Sequence, residues 1–142
     1  MLQPKDRVII EELREAGRSK LIDISKQTDI PVSTLHDRLT KLLDEDQVRI
    51  VALLNYRAIR MPLHSWVLLD ANDRAQARKE LLKHPNINTL LHVNNGADFA
   101  CEAVFRGFRE YHLFLEELQK LGSIKSHPVI EEICKENARV AT

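Results

Sequence analysis

The chain has 142 residues, of which 44% are hydrophobic and 30% are charged, and its 21 basic residues balance 21 acidic ones. This length suits one ordinary domain or two small ones, and a net charge of zero gives no overall attraction to nucleic acid or to anionic membranes. No run of about 18 apolar residues is present to span a bilayer, and the charged start "MLQPKDRVII" is unlike a signal peptide. We therefore expect a cytoplasmic protein without a membrane partner.

The sequence of the first third of the chain predicts three short helices. Apolar residues at helical spacing mark the first, which "AGR" ends, and "KLIDISKQT" marks the second. A turn follows at "TDIP", because Pro31 disfavours helix at the residue before it. Leu35, Leu39 and Leu42 recur at helical spacing and mark the third helix. Three helices with a short turn before the last are typical of a winged or three-helix helix-turn-helix domain, predicted at residues 1–47.

The spacing of the apolar residues changes after residue 47. β-Branched and apolar residues in "VRIVALLN", residues 48–55, predict a strand, and a connector continues to residue 60. Residues 61–142 predict a βαββαβ module with strands "LHSWVLLD", "INTLLHVNN", "DFACEAVFR" and "HPVIEEICKE" and helices "DRAQARKELLKHP" and "FREYHLFLEELQKL". The expected class is therefore α+β, a helix-turn-helix domain followed by a ferredoxin-like antiparallel sheet with two helices on one face.

Core positions of the second module follow from the same patterns. Trp66 is expected to be an interface or core aromatic. The two cysteines, Cys101 and Cys134, are expected to be reduced and buried in a cytoplasmic protein. The long second helix of this module has a predicted buried stripe made of Phe108, Tyr111, Leu115 and Leu118.

The two modules, in this order, resemble the leucine-responsive regulator/AsnC ("feast/famine") family of transcription factors. The resemblance covers nearly the whole chain and rests on "DRVIIEELREAGR", "DISKQTDIPVSTLHDRLTKL", "VRIVALLN" and "NNGADFACEAVFR". It implies double-stranded DNA as the partner of the first domain. It also implies that the second domain senses a ligand and assembles dimers into larger rings such as octamers.

The chain departs from the family pattern in two places. Asp37 stands where members of the family often carry a basic residue. The family's turn usually has the form Gly-x-x-Asp, whereas here Gly96 lies only two residues before Asp98 and Asn95 takes the usual glycine place. The first departure bears on DNA affinity and the second on amino-acid binding.

The third helix carries the side chains suited to a major groove. Short hydrogen-bonding groups on its first turns suit base edges, and cations beside them suit bases or phosphates. The alternative is a solvated helix face with a Ser or Thr cap. The candidate DNA-binding residues are Arg18, Lys20, Ser33, Thr34, His36, Arg38 and Lys41.

The stretch "NNGADF" is the candidate effector site, because the resemblance places a pocket at the turn between the two middle strands. Asp98 would hold the ammonium of an amino acid, and backbone amides near Gly96 would hold its carboxylate. With Asn95, these are the candidate effector-binding residues. The alternative is a tight Asn-Gly hairpin that binds nothing.

No metal or other cofactor is expected. His64, His92, Cys101, His127 and Cys134 all fall on predicted strands, but no metal-ligand spacing such as C-x-x-C joins them.

Two alternatives to a regulator remain open. Sirohaem decarboxylases are similar to this family in both modules, and His64, His92 and Arg60 would then hold propionates and move protons. No nucleophile–base constellation is visible, so the chain is not expected to be an enzyme. The other alternative is an assembly protein whose helix-turn-helix no longer binds DNA.

Overall fold

The computed structural model describes residues 2–135 and Ala138. These residues form two compact units. One holds the residues up to Leu53 together with Ala138, and the other begins at Leu54 and continues to the end of the main described range. Across the described ranges, no helix has both the length and the apolar character needed to cross a membrane.

The first unit contains three helices: α1 (Pro4–Glu15), α2 (Leu21–Thr28) and α3 (Val32–Asp44). Each helix contributes one fully buried side chain to a common core, namely Ile9, Ile24 and Leu35. Leu42 is also buried on α3 and Leu39 is half-buried there. The predicted helices and the predicted leucine stripe of α3 are therefore confirmed, because apolar residues at helical spacing pack against the neighbouring helices.

The second unit is a four-stranded antiparallel sheet with two helices. Its elements are β1 (Leu63–Ala71), α4 (Arg74–Lys83), β2 (Ile87–His92), β3 (Phe99–Phe105), α5 (Phe108–Gln119) and β4 (Gly122–Pro128). The strand order β2-β3-β1-β4 confirms the ferredoxin-like prediction.

The core of the second unit lies between one face of the sheet and the two helices. Buried side chains of β1 and β3 there contact Leu81 of α4 and Phe114 of α5. The predicted stripe of α5 was wrong at its first member, since Phe108 is 75% exposed while Phe114 is 2% exposed. At about 100° per residue, Phe108 lies roughly 90° from the line through Tyr111, Phe114 and Leu118 that faces the sheet.

The last strand was predicted in the wrong place. It was expected at residues 127–136, but β4 spans Gly122–Pro128, and residue 136 lies outside the described residues. β4 is an edge strand whose side chains alternate between half-buried and exposed, so "GSIKSHP" needs no apolar run. The apolar run that follows contains Ile130 and Ile133, which are 92% and 89% exposed.

The strand predicted at residues 48–55 is also absent from the described chain. Its apolar side chains are exposed, with Val51 at 70% and Leu53 at 63%. β-Branched composition indicates compatibility with a strand, but a strand forms only where a neighbour supplies hydrogen-bonding groups, and the described residues place none beside this segment.

The two cysteines differ in environment. Cys101 lies on β3 within the core, and burial raises the pKa of its thiol to about 11. Cys134 is exposed, so the prediction that both are buried was wrong for this residue. Trp66 is half-buried on the sheet face opposite the helices, where it pairs in register with Glu102 and His127.

Candidate nucleic-acid interface and effector site

The α2–turn–α3 segment has helix-turn-helix geometry. The helices are separated by three residues, of which Asp29 adopts the left-handed conformation with φ of 55° and Pro31 is the residue that caps α3. Proline has no N–H to satisfy at this position, and no side chain caps the helix through a hydrogen bond. The Ser or Thr cap considered from the sequence is therefore not formed.

Most of the predicted contacts on α3 face solvent. Ser33 and Lys41 are exposed, Thr34 is half-buried, and the side chain of His36 is 71% exposed. The ammonium of Lys41 lies 3.7 Å from a carboxylate oxygen of Glu45, and an exposed pair of this kind is easily exchanged for another anion. Ser33, His36 and Lys41 therefore lie on the solvent side of α3, away from the buried Leu35.

Arg38 differs from its neighbours. As a candidate DNA contact it has to point outward, but its side chain is only 19% exposed and its Nε lies 3.1 Å from Oδ1 of Asp6 on α1. Arg38 is not directed outward, because a buried carboxylate on the neighbouring helix attracts the guanidinium.

Arg18 and Lys20 lie outside α3. Both are exposed, Arg18 in the turn after α1 and Lys20 as the residue that begins α2. Because both residues are exposed, their side chains are available to a phosphate.

The turn between β2 and β3 borders a surface cavity of about 410 Å³. Asn95 and Gly96 have φ angles of 68° and 109°, so both adopt positive φ, as a tight Asn-Gly turn requires. Both are exposed. The cavity is lined by Asp70, Arg74, His92, Val93, Asn94, Asn95, Gly96, Ala97 and Asp98.

Asp98 is buried at 5% exposure and is already held by the protein. One of its carboxylate oxygens accepts the Ala71 N–H at 2.9 Å, and the other lies 2.5 Å from the Nε of Arg74. The hydrogen bond from Ala71, followed by the charge of Arg74, keeps the pKa of Asp98 below its ordinary value of 3.8. Its stabilising contribution is therefore present above that value and is lost as the pH falls through the lower folded-state pKa.

Comparison with known proteins places this geometry in a family. Residues 2–49 match the family profile described as winged helix-turn-helix DNA-binding. The chain is 30% identical over 125 residues, 85% of its length, to the HTH-type transcriptional regulator PH0140 of Pyrococcus horikoshii, of which this match covers 79%. Among solved structures, B. subtilis LrpC has a TM-score of 0.88 at 15% identity, with 96% of this chain and 99% of that one covered. E. coli AsnC has a TM-score of 0.86 at 13% identity, with 99% of each chain covered.

The chain belongs to the leucine-responsive regulator/AsnC family.

This regulator also has the fold of a relative solved with an amino acid. The transcriptional regulator NMB0573 of Neisseria meningitidis, in its complex with L-Met, has a TM-score of 0.86 at 21% identity, with 99% of this chain and 97% of that one covered. At this level of identity the likeness shows the fold alone.

Two polar residues that matter in this regulator were missed at the level of sequence. Asp6 holds Arg38, and Arg74 holds Asp98. Asp6 lies three residues after Gln3, the spacing of a helix capping box, and that spacing was the available signal. No comparable pattern marks Arg74, which lies in the first turn of α4.

The histidines and cysteines do not gather at one point of the sheet. Within residues 2–135 and Ala138, no three His, Cys, Asp or Glu side chains are grouped to hold a metal ion. His64 instead lies beside Glu102, with its Nε2 2.9 Å from a carboxylate oxygen. Burial raises the pKa of Glu102, but hydrogen bonds from Thr89 and Asn88 and the charge of Lys135 leave it below its ordinary value. These neighbours favour the charged form of this carboxylate.

Proposed function

We propose that α3 of this DNA-binding transcription regulator enters the major groove and reads bases through its first two turns. The observation that carries the proposal is the exposed row of Ser33, His36 and Lys41, which lies away from the core and takes no part in capping the helix. Short polar side chains at the start of a helix suit base edges, and a lysine further along suits a phosphate. Arg18 and Lys20 would add phosphate contacts outside α3.

The net charge of the first 55 residues limits the affinity of this domain for DNA. They contain nine Lys or Arg and ten Asp or Glu, a net charge of minus one. Each half-site therefore binds modestly, and two copies of the domain bound about 34 Å apart would double the contacts. A clear dependence on salt is expected, because each phosphate contact releases counterions.

Lys41→Ala tests the proposed interface. DNA selected by the protein from a random-sequence pool should bind the variant more weakly at every sequence, and the slope of log K against log salt should fall by about 1. Lys79→Ala, an exposed lysine of α4 in the other unit, is the matched control and should leave both quantities unchanged. An unaltered slope for Lys41→Ala would remove this face of α3 from the interface.

A second copy of the chain is the proposed partner of residues 48–55. This segment has strand-forming composition and exposed apolar side chains, including Ile50 at 58% and Val51 at 70%. The same segment of a second copy can supply antiparallel hydrogen bonds and cover these side chains about a two-fold axis. A dimer is therefore the smallest expected assembly. The larger one implied by the family is an octamer-like ring held through the βαββαβ module.

Light scattering at micromolar concentration tests this assembly. The wild type should give a mass at least twice the 16.4 kDa of one chain. Val51→Glu should shift the mass downward, since a charge on the covered face disfavours pairing. Gln47→Glu introduces the same charge at a polar, exposed position just before the segment and should not shift it. A wild-type mass equal to one chain would exclude the proposed dimer.

The cavity beside the β2–β3 turn is the proposed effector site. Its lining includes two acidic residues, Asp70 and Asp98, and the basic residue Arg74, next to the exposed Asn95 and Gly96. Opposite charges in one cavity are what an amino-acid zwitterion needs. Asp98 would have to share its carboxylate with Arg74, so the two residues act together on the ligand.

Thermal shift measurements with the twenty amino acids, including L-methionine, test the effector. A binding amino acid should raise the melting temperature, and Asp98→Ala should abolish that rise while DNA binding without ligand persists. Coupling between effector and DNA is typically about 1–3 kcal/mol, so a shift of roughly fivefold in DNA affinity is expected. Glu116→Ala removes an exposed carboxylate elsewhere in the same unit and should keep the response. If no amino acid moves the melting temperature, the turn is a hairpin only.

The other two functions considered have less support. The profile match and the relative named above are a DNA-binding domain and a transcription regulator, so the sirohaem decarboxylase alternative is not favoured. An assembly protein without DNA binding would leave the exposed polar row of α3 without a role. We place the regulator in the cytoplasm, with chromosomal DNA as its target.

A further inference from the structure

Asp6 and Arg38 form an ion pair within the protein, and neither side chain is placed to contact DNA directly. Asp6, in the first turn of α1, is a charged residue with only 6% exposure. Its Oδ1 lies 3.1 Å from the Nε of Arg38 on α3, and its Oδ2 accepts the backbone N–H of Gln3 at 2.7 Å. One carboxylate therefore joins the beginning of α1 to the middle of α3.

The position of this ion pair suits it to hold α3 in place against α1. A buried carboxylate is stable only when charges or hydrogen bonds compensate it, so removing Arg38 would leave the Asp6 charge without its ion-pair partner. Arg38 lies two residues after His36 and three before Lys41, within the part of the helix that presents the exposed polar row. Recognition of bases requires side chains placed to about 0.5 Å, and such placement depends on supporting contacts behind them.

We infer that Asp6 is a positioning residue for DNA recognition and that it acts through Arg38, which ties α3 to α1 and does not read bases. The inference rests on the proposal that α3 enters the major groove. The sequence specificity of the regulator then depends in part on Asp6, a residue of α1 that does not belong to the exposed polar row of α3.

The same geometry has a competing interpretation with the opposite sign. Asp6 would instead withhold Arg38 from a phosphate, and breaking the pair would then free a cation and tighten binding to any DNA. If Asp6 positions α3, breaking the pair weakens binding to the preferred sequence only, because phosphate contacts by other residues remain.

Asp6→Asn, Arg38→Gln and the double variant distinguish these interpretations. Each single variant should bind the selected sequence about five- to tenfold more weakly and discriminate less against single-base changes. The double variant should be no worse than either single one, because both act through one contact. Binding to non-specific DNA and the slope of log K against log salt should both stay unchanged. An unfolded domain would lose both, so these two measurements also serve as a control for folding. Glu11→Gln removes an exposed charge from the same helix and should not weaken binding.

Three results would overturn the inference: tighter binding by Asp6→Asn, additive losses in the double variant, or a salt slope reduced by about 1 in Arg38→Gln. Circular dichroism establishes that each variant is folded at the assay temperature. If Asp6→Asn is not folded, Asp6→Ser is measured in its place with the same criteria. Serine keeps an acceptor for the backbone N–H of Gln3. Lys41→Ala in the same assay separates the two proposals, since its failure to alter binding would reject the α3 interface itself.

Discussion

Leu35→Ala should unfold the helix-turn-helix domain and abolish specific DNA binding while the second unit stays folded. Leu35 is completely buried and packs with Ile9 and Ile24, so these three side chains, one from each helix, form the centre of a small core. Removing a buried leucine side chain costs about 2–5 kcal/mol, which is a large part of the stability of a domain of this size. The single tryptophan, Trp66, lies in the second unit. Its fluorescence therefore reports that unit, while loss of helix by circular dichroism reports the first.

Leu43→Ala is the matched control for this prediction. Leu43 lies on the same helix and is 40% exposed, so its replacement should change stability by only about 0.5 kcal/mol. Equal melting temperatures for Leu35→Ala and the wild type, with DNA binding retained, would show that the three-residue core does not determine the stability of the domain.

Gly122→Ala should strongly destabilise the second unit. Gly122 begins β4, and a Cβ there would overlap the carbonyl oxygen of Asp70 and lie 2.9 Å from the Cα of Ala71. These are backbone atoms of the paired strand β1, so they cannot move aside without separating β4 from the sheet. Overpacking of this kind costs about 1–3 kcal/mol or more. A lower melting transition followed by Trp66 fluorescence is the expected result.

Gly107→Ala provides the comparison. A Cβ at Gly107 would meet no atom within 4 Å, and its φ of −173° is extended backbone that any residue adopts. This variant should melt close to the wild type. If both variants melt alike, the close approach of β4 to β1 is not what requires glycine at position 122.

The regular elements could be predicted because their patterns are local. Leu35, Leu39 and Leu42 mark one face of a helix wherever that helix packs, and the apolar run "WVLL" marks the strand β1. The order of helices and strands then restricts the second unit to few topologies, and the observed strand order is the expected one, although β4 lies earlier in the chain than predicted. The DNA-binding class follows from the resemblance of the two modules, in this order, to the leucine-responsive regulator/AsnC family.

The sequence by itself determined the helix-turn-helix, the ferredoxin-like order and the polar residues on α3, because each depends on periodicity along the chain. Only the tertiary structure decided which side chains are free to act. Arg38 and Asp98 carry the right charges for DNA and for an ammonium, yet each is held by a residue distant in sequence, Asp6 and Arg74. The same holds for residues 48–55, whose composition suits a strand. Ion pairs and strand pairing require a partner in space, and periodicity along one segment contains no information about that partner.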